Sequence, residues 1–401
     1  MLGTIYIGLS GMTAYSKGLD VISNNVANLN TPGFKLTDPT FSDALYRNGG
    51  AIEGSSGTST GGAGVSVNTD RASFRQGEMR DTGNSMDAGV EGNGFFALDR
   101  DGETLYTRAG QFEFNKDGVL VDRATGAKVI VSMEASDLAE FDLDDFRTYD
   151  PKATTEVTLL GTLSRTGTAQ YDITNISVVD ASGARQALKA KLVRSDTDAT
   201  VWKAEVTDAD NNLIGSGEVH FNADGTPVAD FNKIAVSVKP KDLPAFDVTL
   251  SFGAAGKFSG VNSLSSNTSS QISVLKQNGV ERGVLSTTSF DDHGKLTLTY
   301  SNGEKRTPAT LLLAQFNSSE QLRALGEGLY VARAGASVAL APAQSQGRGN
   351  IVGSKVEMSN VDLTQQFTDL IIIQRGYQAS SQMTSVANEM MQQLLAMGDK
   401  R

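Results

Sequence analysis

Each end of the chain carries a long stripe of apolar residues at helical spacing, and these two stripes constrain the fold more than any other feature. The positions lie three and four residues apart in 1–30 and follow a heptad-like pattern in 359–401. Such spacing places side chains on one face of an α-helix. The residues that form the stripes, and that we predict as a self-assembly seam, are Leu2, Ile5, Leu9, Met12, Leu19 and Val26, and then Leu363, Leu370, Ile373, Tyr377, Met383, Met390 and Leu394.

The first helix is predicted to run from Leu2 to about Asn28 and to stop at the breaker sequence Asn30-Thr31-Pro32-Gly33. It contains four glycines, each of which costs about 1 kcal/mol relative to alanine; they are Gly3, Gly8, Gly11 and Gly18. We therefore expect this helix to be marginal alone and to form fully only when packed. On pattern alone, a stripe of this kind is more often the core of an ordinary helical bundle than a contact between chains.

Composition narrows the class of protein. The chain has 401 residues, with 42 glycines and only 8 prolines, which favours a loop-rich and β-rich body. It has no cysteine, so disulfide frameworks and thiolate sites are excluded. The net charge is −11, and the acidic residues are concentrated between the two ends. This charge argues against nucleic acid as a partner, and the near-neutral ends favour packing against copies of the same chain.

The body between the helices reads as short strands and tight turns. Turn sequences such as Asp101-Gly102 and Asn302-Gly303 separate apolar runs, which is typical of hairpins. Strict alternation in segments such as Phe246–Phe252 indicates half-buried antiparallel strands. Trp202 lies in another strand of this kind and is predicted to be a core anchor. Residues 359–362 resemble a capping box for the last helix.

The predicted fold class is α+β and multidomain, with long N- and C-terminal helices that form a coiled-coil core and two β-rich outer domains of sheet or barrel type. The expected domains are a terminal helical domain (1–35 and 359–401), a Gly/Ser-rich linker region (36–70), a discontinuous β-rich domain (71–145 and 282–358) and an inserted outer β domain (146–281). The acidic stretch 134–150 is expected to connect two domains or to form a solvated helical turn.

Catalytic and metal sites are not supported by the sequence. Gly57-Thr58-Ser59-Thr60-Gly61 matches the nucleophile-elbow pattern but lies in a Gly/Ser-rich stretch without the required strand and helix. The two histidines, His220 and His293, lack ligand spacing. The segment 208–212 begins like a calcium loop but lacks the required glycine and glutamate, and the glycines at 89, 92 and 94 lack dinucleotide spacing. We therefore expect no enzyme activity, no cofactor and no metal.

Three long segments carry a resemblance to a known family. SGMTAYSKGLDVISNNVANLNTPGFK (10–35) and SNVDLTQQFTDLIIIQRGYQASSQMTSVANEMMQQLL (359–395) resemble the paired terminal signatures of the bacterial flagellar rod and hook axial proteins. GNGFFALDRDGETLYTRAGQFEFNKDGVLVDRATG (92–126) is similar to an internal block of the same family. The residues that match the family signature are Asn24, Asn25, Asn28, Pro32, Gly33, Phe34, Asn360, Val361, Asp362, Gln374, Arg375, Tyr377 and Gln378.

The resemblance implies a structural role. Members of this family form helical tubes whose terminal helices line the inner wall, and the length and large middle body of this chain fit a hook subunit, which acts as a universal joint between motor and filament. The alternatives are a distal rod subunit, which forms a rigid driveshaft, and a secreted β-rich adhesin. Size and the middle body separate hook from rod.

The same resemblance implies the partners and the location. The expected partners are many copies of the same chain, the distal rod protein at the base, the hook cap and hook–filament junction proteins, and the flagellar type III export apparatus. Neither nucleic acid nor membrane insertion is expected. The resemblance implies an extracellular location in the bacterial flagellum. The N-terminus has no basic residue before Lys17 and no uninterrupted apolar region, so we expect export without a cleaved signal peptide.

Overall fold

The structure is a computed structural model that describes residues 2–44, 64–68, 71–133, 138–241, 243–265 and 269–398. The helices are α1 (Leu2–Ala27) and α2 (Leu363–Gly398), with short 3-10 turns at Asp144–Phe146 and Ser319–Gln321. The Gly57–Gly61 segment and most of the predicted Gly/Ser-rich linker lie outside the described residues.

The strands begin with β1 (Thr40–Asp43), β2 (Val65–Asn68), β3 (Met79–Asp81), β4 (Ala88–Glu91), β5 (Phe95–Arg100), β6 (Glu103–Thr107), β7 (Phe112–Phe114), β8 (Leu120–Asp122), β9 (Lys128–Met133), β10 (Leu138–Glu140), β11 (Thr148–Tyr149), β12 (Glu156–Ser164), β13 (Gln170–Val179) and β14 (Arg185–Arg194). They continue with β15 (Val201–Thr207), β16 (Leu213–His220), β17 (Lys233–Val238), β18 (Phe246–Ser251), β19 (Val261–Leu264), β20 (Gln271–Gln277), β21 (Gly283–Phe290), β22 (Lys295–Tyr300), β23 (Lys305–Phe316), β24 (Leu322–Gly326), β25 (Leu329–Ala332), β26 (Val338–Pro342), β27 (Asn350–Gly353) and β28 (Lys355–Glu357).

The chain divides into two compact units. The first unit comprises Met1–Asp144, Thr288–Leu298 and Arg306–Arg401, and the second comprises Asp145–Thr287 and Thr299–Lys305. The finer division into a terminal helical domain, a linker and an inserted outer domain stays a prediction.

The first helix forms as its pattern predicts. It covers 26 residues, or about 39 Å at 1.5 Å per residue. It ends at Ala27, one residue before the predicted limit, and the chain then turns through Asn28–Asn30 toward Pro32. The second helix covers 36 residues.

The first unit contains a sheet in which β23, β9, β5, β6, β25 and β24 are neighbours in that order. The predicted hairpin of β5 and β6 is present, with Arg100 paired to Glu103. Its turn residues Asp101 and Gly102 have φ angles of 54° and 85°, as a two-residue type I′ turn requires. Positive φ at both positions explains the Asp-Gly sequence.

Aromatic side chains fill one core of the first unit. Phe95 packs edge-to-face against Phe74, Phe316 and Tyr330, with ring centroids 5.3–5.8 Å apart. Edge-to-face contacts of this kind add roughly 0.5–1.5 kcal/mol beyond area burial. This cluster fixes β5 against the C-terminal strands of the same unit.

The second unit contains a five-stranded sheet, in which β17, β18, β12 and β19 follow one another and β20 pairs with β12, and a four-stranded sheet of β13 to β16. Inward side chains from both sheets form one apolar core. Trp202 on β15 is fully buried in it, so the predicted core anchor is confirmed.

The alternation predicts antiparallel strands in this unit, and most pair in this way, including β14 with β13 and with β15, and β18 with β17. Two pairings differ from this prediction, because β12 runs parallel to both β18 and β19. β18 and β19 pair with successive parts of β12, which are Glu156–Thr158 and Gly161–Ser164. The loop between the two strands is closed by the Val261 amide, which donates to the Phe252 carbonyl. Alternation alone does not report strand direction, because both ladder types place side chains on alternate faces.

Two segments expected to be irregular contain strands. Within the predicted linker region, β1 pairs with β2 in the register Thr40 with Asn68. In the acidic stretch 134–150, β10 pairs with β9, and residues 134–137 lie outside the described part of the chain. Asp144–Phe146 forms a short 3-10 turn without buried residues, which agrees with the expected solvated helical turn.

We predict that Trp202→Ala destabilises the second unit by about 3–5 kcal/mol, because it removes the largest side chain from a filled core. Urea unfolding followed by far-UV circular dichroism measures this loss. The matched control is Phe258→Ala, since Phe258 is 59% exposed and its truncation should change stability by about 0.5 kcal/mol or less. Equal losses in both variants would contradict the assignment of Trp202 as the core anchor.

Candidate functional site

The two terminal helices pack against each other within the first unit in an antiparallel pair. Gly8 of α1 faces Thr384 of α2, whereas Gly18 faces Ile373. A Cβ atom added at Gly8 would lie 2.4 Å from Thr384 Oγ1, and one added at Gly11 would lie 2.7 Å from Ser380 Oγ. Such separations are shorter than van der Waals contact, so the approach of the helices requires glycine on α1.

The α2 side of this contact repeats every seven residues. Gln366, Ile373 and Ala387 are buried and Ser380 is half-buried, each seven positions from the next. A seven-residue repeat keeps one face of a helix directed at its partner helix. Three of these four side chains are small or polar, so close approach of the helices makes much of the contact, and Ile373 is the one large apolar side chain among them.

Asn25 closes one end of the helix pair. It is fully buried, and its Nδ2 donates to Gln366 Oε1 at 2.8 Å and to the Thr37 carbonyl at 2.9 Å. Its Oδ1 accepts a hydrogen bond from the Thr37 amide. A buried amide must be fully paired to avoid a desolvation cost, and here α2 and the segment after α1 both supply partners.

Asn360 performs a similar role just before α2. Its Oδ1 accepts a hydrogen bond from the Leu36 amide at 2.8 Å, and its Nδ2 donates to the carbonyls of Ser73 and Arg75. One side chain therefore joins the segment before α2 to the segment after α1 and to the chain entering the β-rich body.

The N-terminus of α2 is capped by Asp362 and not by the predicted box. Asp362 Oδ1 accepts hydrogen bonds from the amides of Thr364 and Gln365, which are the second and third residues of the helix. Ser359 instead accepts from the Val361 amide. The box was wrong because Asp362 itself is an N-cap residue, and a helix that starts at Leu363 leaves Ser359 outside its first turn.

A buried ion cluster joins the segments that flank both helices. Glu357 Oε1 lies 2.6 Å from Lys35 Nζ, and Glu357 Oε2 lies 3.3 Å from Arg108 Nη1. The Glu357 carboxylate also accepts from the Gly77 amide, and Lys35 Nζ donates to the Arg75 carbonyl. The three charged side chains are almost fully buried.

The electrostatics of this cluster are set mainly by burial. Desolvation lowers the pKa of Lys35 and the pKa of Arg108, although the Glu357 carboxylate opposes both shifts. Burial likewise raises the pKa of the nearby Tyr330 hydroxyl. The Arg108 guanidinium also lies 5.0 Å from the centroid of the Phe95 ring. One carboxylate therefore compensates two buried cations.

Gly33 lets the chain pass close to this cluster. Its φ is +71°, and an added Cβ would lie 2.4 Å from the Ala109 amide nitrogen. Its own amide donates to the Glu357 carbonyl at 2.7 Å. The left-handed conformation and the close approach both require glycine at this signature position.

The remaining signature residues lie at the end of α1, in the segments that flank the helices, and on the exposed side of α2. Asn24 and Asn28 hydrogen-bond to each other one turn apart, and Asn28 Oδ1 accepts from Thr31. Pro32 and Phe34 are half-buried and Val361 is buried. Gln374, Arg375, Tyr377 and Gln378 lie on the exposed side of α2.

The predicted seam residues separate into two groups. Ile373 is 5% exposed and faces α1, and Ile5, Met12, Leu19, Val26 and Leu370 are half-buried. The exposed members are Leu9, Leu363, Tyr377, Met383, Met390 and Leu394, and the side chain of Leu2 lies outside the described part. Other large apolar residues are exposed beside them, including Ile371 and Ile372. Their role as an assembly seam stays a prediction.

Sequence reasoning missed the residues that hold the site together. Intrinsic helix propensity makes Gly8 and Gly11 unfavourable in α1, whereas the structure shows that they form its contact with α2. No pattern in the sequence singles out Lys35, Arg108 or Glu357. The seven-residue spacing of Gly11, Gly18 and Asn25 is a signal in the sequence that could have revealed the face of α1 that contacts α2.

The histidines do not form a site. His220 on β16 stacks on Phe231 with centroids 4.0 Å apart, and His293 lies in the turn before β22. Asp208–Asn212 is a turn in which the Asn212 amide donates to Asp208. Among the described residues, no group of three or more His, Cys, Asp or Glu is arranged to hold a metal, and no helix is both long and apolar enough to cross a membrane.

Three family models match the chain. Residues 5–35 match the flagella basal body rod protein family, and residues 353–397 match the C-terminal family of the flagellar basal body rod FlgEFG proteins. Residues 89–158 match the D1 domain of the flagellar hook protein FlgE/F/G family. The first two matches cover most of α1 and of α2, together with the segments that flank the ion cluster.

Individual relatives match over nearly the whole chain. The flagellar hook protein FlgE of Borreliella burgdorferi is 27% identical over 98% of this chain and 99% of its own length. FlgE of Escherichia coli is 27% identical over 96% of this chain and 98% of its own length. A crystal structure of the Helicobacter pylori flagellar hook protein FlgE2 is 13% identical, with a TM-score of 0.47, and covers 71% of this chain and 100% of that one.

We predict that Gly8→Ala loosens the helix pair by about 1–3 kcal/mol, because the new methyl group overpacks against Thr384. Hydrogen exchange of the α1 amides measures the loss as faster exchange. Gly3→Ala is the matched control, since nothing lies within 4 Å of an added Cβ there and alanine favours the helix. Similar protection in the two variants would show that the helices do not approach as closely as described.

We predict that Glu357→Gln destabilises the first unit by about 3–5 kcal/mol, because it leaves Lys35 and Arg108 buried without a counter-charge. Urea unfolding measures the change. The control is Glu327→Gln, which removes only the exposed ion pair with Arg100 and should cost about 0.5 kcal/mol or less. If Glu357→Gln costs no more than its control, the cluster does not hold the segments together.

Proposed function

Because the chain belongs to the flagellar rod and hook protein family, we propose that it is the structural subunit of a flagellar hook, a self-assembling helical tube that acts as a universal joint between motor and filament. The observation that carries the proposal is the end-to-end likeness to FlgE hook proteins, which includes both terminal helices and the whole middle body. The correspondence in length favours a hook subunit over a rod subunit.

The surface of the helix pair supports self-assembly. After α1 and α2 have packed together, α2 still exposes large apolar side chains, among them Ile372, Met383 and Met390. Each such side chain contributes roughly 1.5–3 kcal/mol when it is fully buried. Along its 36 residues, α2 carries only Asp369, Arg375 and Glu389 as charged residues, so copies approach one another with little repulsion. In the tube, these faces pack against neighbouring copies and form the coiled-coil inner wall.

The fixed connection between helices and β-rich body supports torque transmission. Asn25, Asn360 and Glu357 tie the residues that flank α1 and α2 to the β-rich part of the first unit. A twist applied to the helical wall is therefore passed to that body through these hydrogen bonds and ion pairs. The second unit has its own apolar core and keeps its fold while the contacts between outer surfaces slide.

The remaining partners and the location follow from this role. The tube extends outside the cell, with the distal rod protein at its base and the hook cap and hook–filament junction proteins at its tip. The subunit passes through the flagellar type III export apparatus without cleavage. Its role is structural and not catalytic.

The experiment compares two adjacent isoleucines. Ile372 is 61% exposed and Ile373 faces α1, so only Ile372→Asp should leave the subunit folded. Placing an unpaired carboxylate in each contact between copies costs several kcal/mol and recurs at every subunit added. In cells that carry only the Ile372→Asp chain, we expect secreted and folded subunits in the medium and no hooks by electron microscopy.

The controls separate assembly from folding. Ile373→Asp should reduce both folding and assembly, because it breaks the contact within the chain. Leu213→Asp places the same charge on an exposed strand of the second unit and should leave hooks on the cells. Normal hooks with Ile372→Asp would contradict the proposed function of this helix face.

A further inference from the structure

A groove of about 420 Å³ lies between α1 and β2 in the first unit. Ser10 Oγ accepts a hydrogen bond from the Val65 amide at 3.2 Å and so holds the strand on the helix. The groove is lined on its two sides by Tyr6, Leu9, Thr13 and Lys17 of α1 and by Val65 and Val67 of β2. It is therefore a concave surface of mixed polar and apolar character with one cation, Lys17.

This groove uses a different face of α1 from the contact with α2. Gly8, Gly11 and Gly18 face α2, whereas Tyr6, Leu9, Thr13 and Lys17 form a second stripe with steps of three, four and four residues. Tyr6 and Leu9 are 69% and 52% exposed. The stripe spans 11 steps, or about 16 Å of helix.

The C-terminal half of α2 carries a stripe of the same length and spacing. Its exposed apolar residues are Met383, Val386, Met390 and Leu394, again with steps of three, four and four. Glu389 is exposed beside Met390 and is the sole acidic residue of α2 beyond Asp369. Lys17 is likewise the sole basic residue of α1. The groove and this stripe thus match in length, and both offer apolar side chains. They also carry opposite charges, since Lys17 is the one charged residue of the groove lining and Asp20 lies one turn beyond it.

The same chain cannot bring these charges together. Gly18 faces Ile373, so Lys17 lies level with position 374 of the antiparallel α2, and Glu389 lies 15 residues farther along, or about 22 Å. Within the described part of the chain, neither Lys17 nor Glu389 has an ion-pair partner. Only a second copy can place a Glu389 at Lys17.

We propose that the groove between α1 and β2 binds the C-terminal half of α2 from a second copy of the chain, with Lys17 paired to Glu389 of that copy. The inference rests on the proposed function and names the segment that covers this face. The apolar stripes supply the contact area, and the ion pair sets the register, as flanking charges do in coiled coils.

A charge swap tests the pairing. Lys17→Glu and Glu389→Lys each place like charges together, and each should raise the concentration needed for polymerisation at least tenfold. The double variant restores the pair and should return that concentration to within threefold of the original. Lys116→Glu and Glu103→Lys make the same charge changes at an exposed turn and at the exposed start of β6, and they should have no effect. The proposal would be overturned if the single variants polymerised at the original concentration, or if the double variant did not restore polymerisation.

A cross-link tests the contact even if no long polymer forms. The chain has no cysteine, so Lys17→Cys and Glu389→Cys can each be introduced alone. When the two variants are mixed with an oxidant such as copper phenanthroline, the two thiols lose two electrons and two protons to form one disulfide. We expect two-chain products at least ten times faster in the mixture than in either variant alone.

The outcomes are distinct. Cross-linking without polymer would retain the groove contact and reject the hook function. Self-cross-linking of Lys17→Cys at the rate of the mixture would show that two grooves face each other, which overturns the proposal. No cross-linking in the mixture would overturn it as well.

Discussion

The close approach of α1 and α2 determines which surfaces the rest of the molecule can use. At Gly8 and Gly11 the α2 side chains occupy the space that a Cβ would fill. Because this contact uses small residues together with Ile373 and Tyr15, other large apolar side chains, among them Ile372, Met383 and Met390, remain exposed. A pair joined through leucines would bury more of its apolar surface within one chain, whereas this pair leaves that surface exposed, and we propose that it is used for contacts between chains.

The ion cluster around Glu357 extends this constraint into the β-rich body. Burying charge is costly, so the cluster is stable only when Lys35, Arg108 and Glu357 are brought together from three distant parts of the sequence. Its formation therefore requires that the segment after α1 and the segment before α2 lie in one arrangement. We interpret the cluster as a source of conformational specificity and not of net stability.

Local features of the fold were predictable because their causes are local. The end of α1 follows from Pro32 and Gly33, and the β5–β6 hairpin follows from the positive φ that Asp101-Gly102 tolerates. The hydrogen bond between Asn25 and Gln366 joins residues 341 positions apart. The periodicity of the sequence does not indicate which residues are in contact over such a separation. The direction of β12 was missed because alternation is the same in parallel and antiparallel ladders. The cap at Asp362 was missed because two capping residues lie within one turn.

The central claim is that the exposed face of the helix pair becomes buried in an assembled tube, and methionine oxidation tests it most directly. Met383 and Met390 are about half exposed in the single chain, and peroxide converts an accessible methionine to its sulfoxide. Mass spectrometry of the two residues in isolated subunits and in polymer gives the two rates, with the buried Met86 as an internal reference. The account predicts that polymerisation slows oxidation of Met383 and Met390 at least tenfold and leaves Met86 unchanged. Equal rates in subunit and polymer would contradict it.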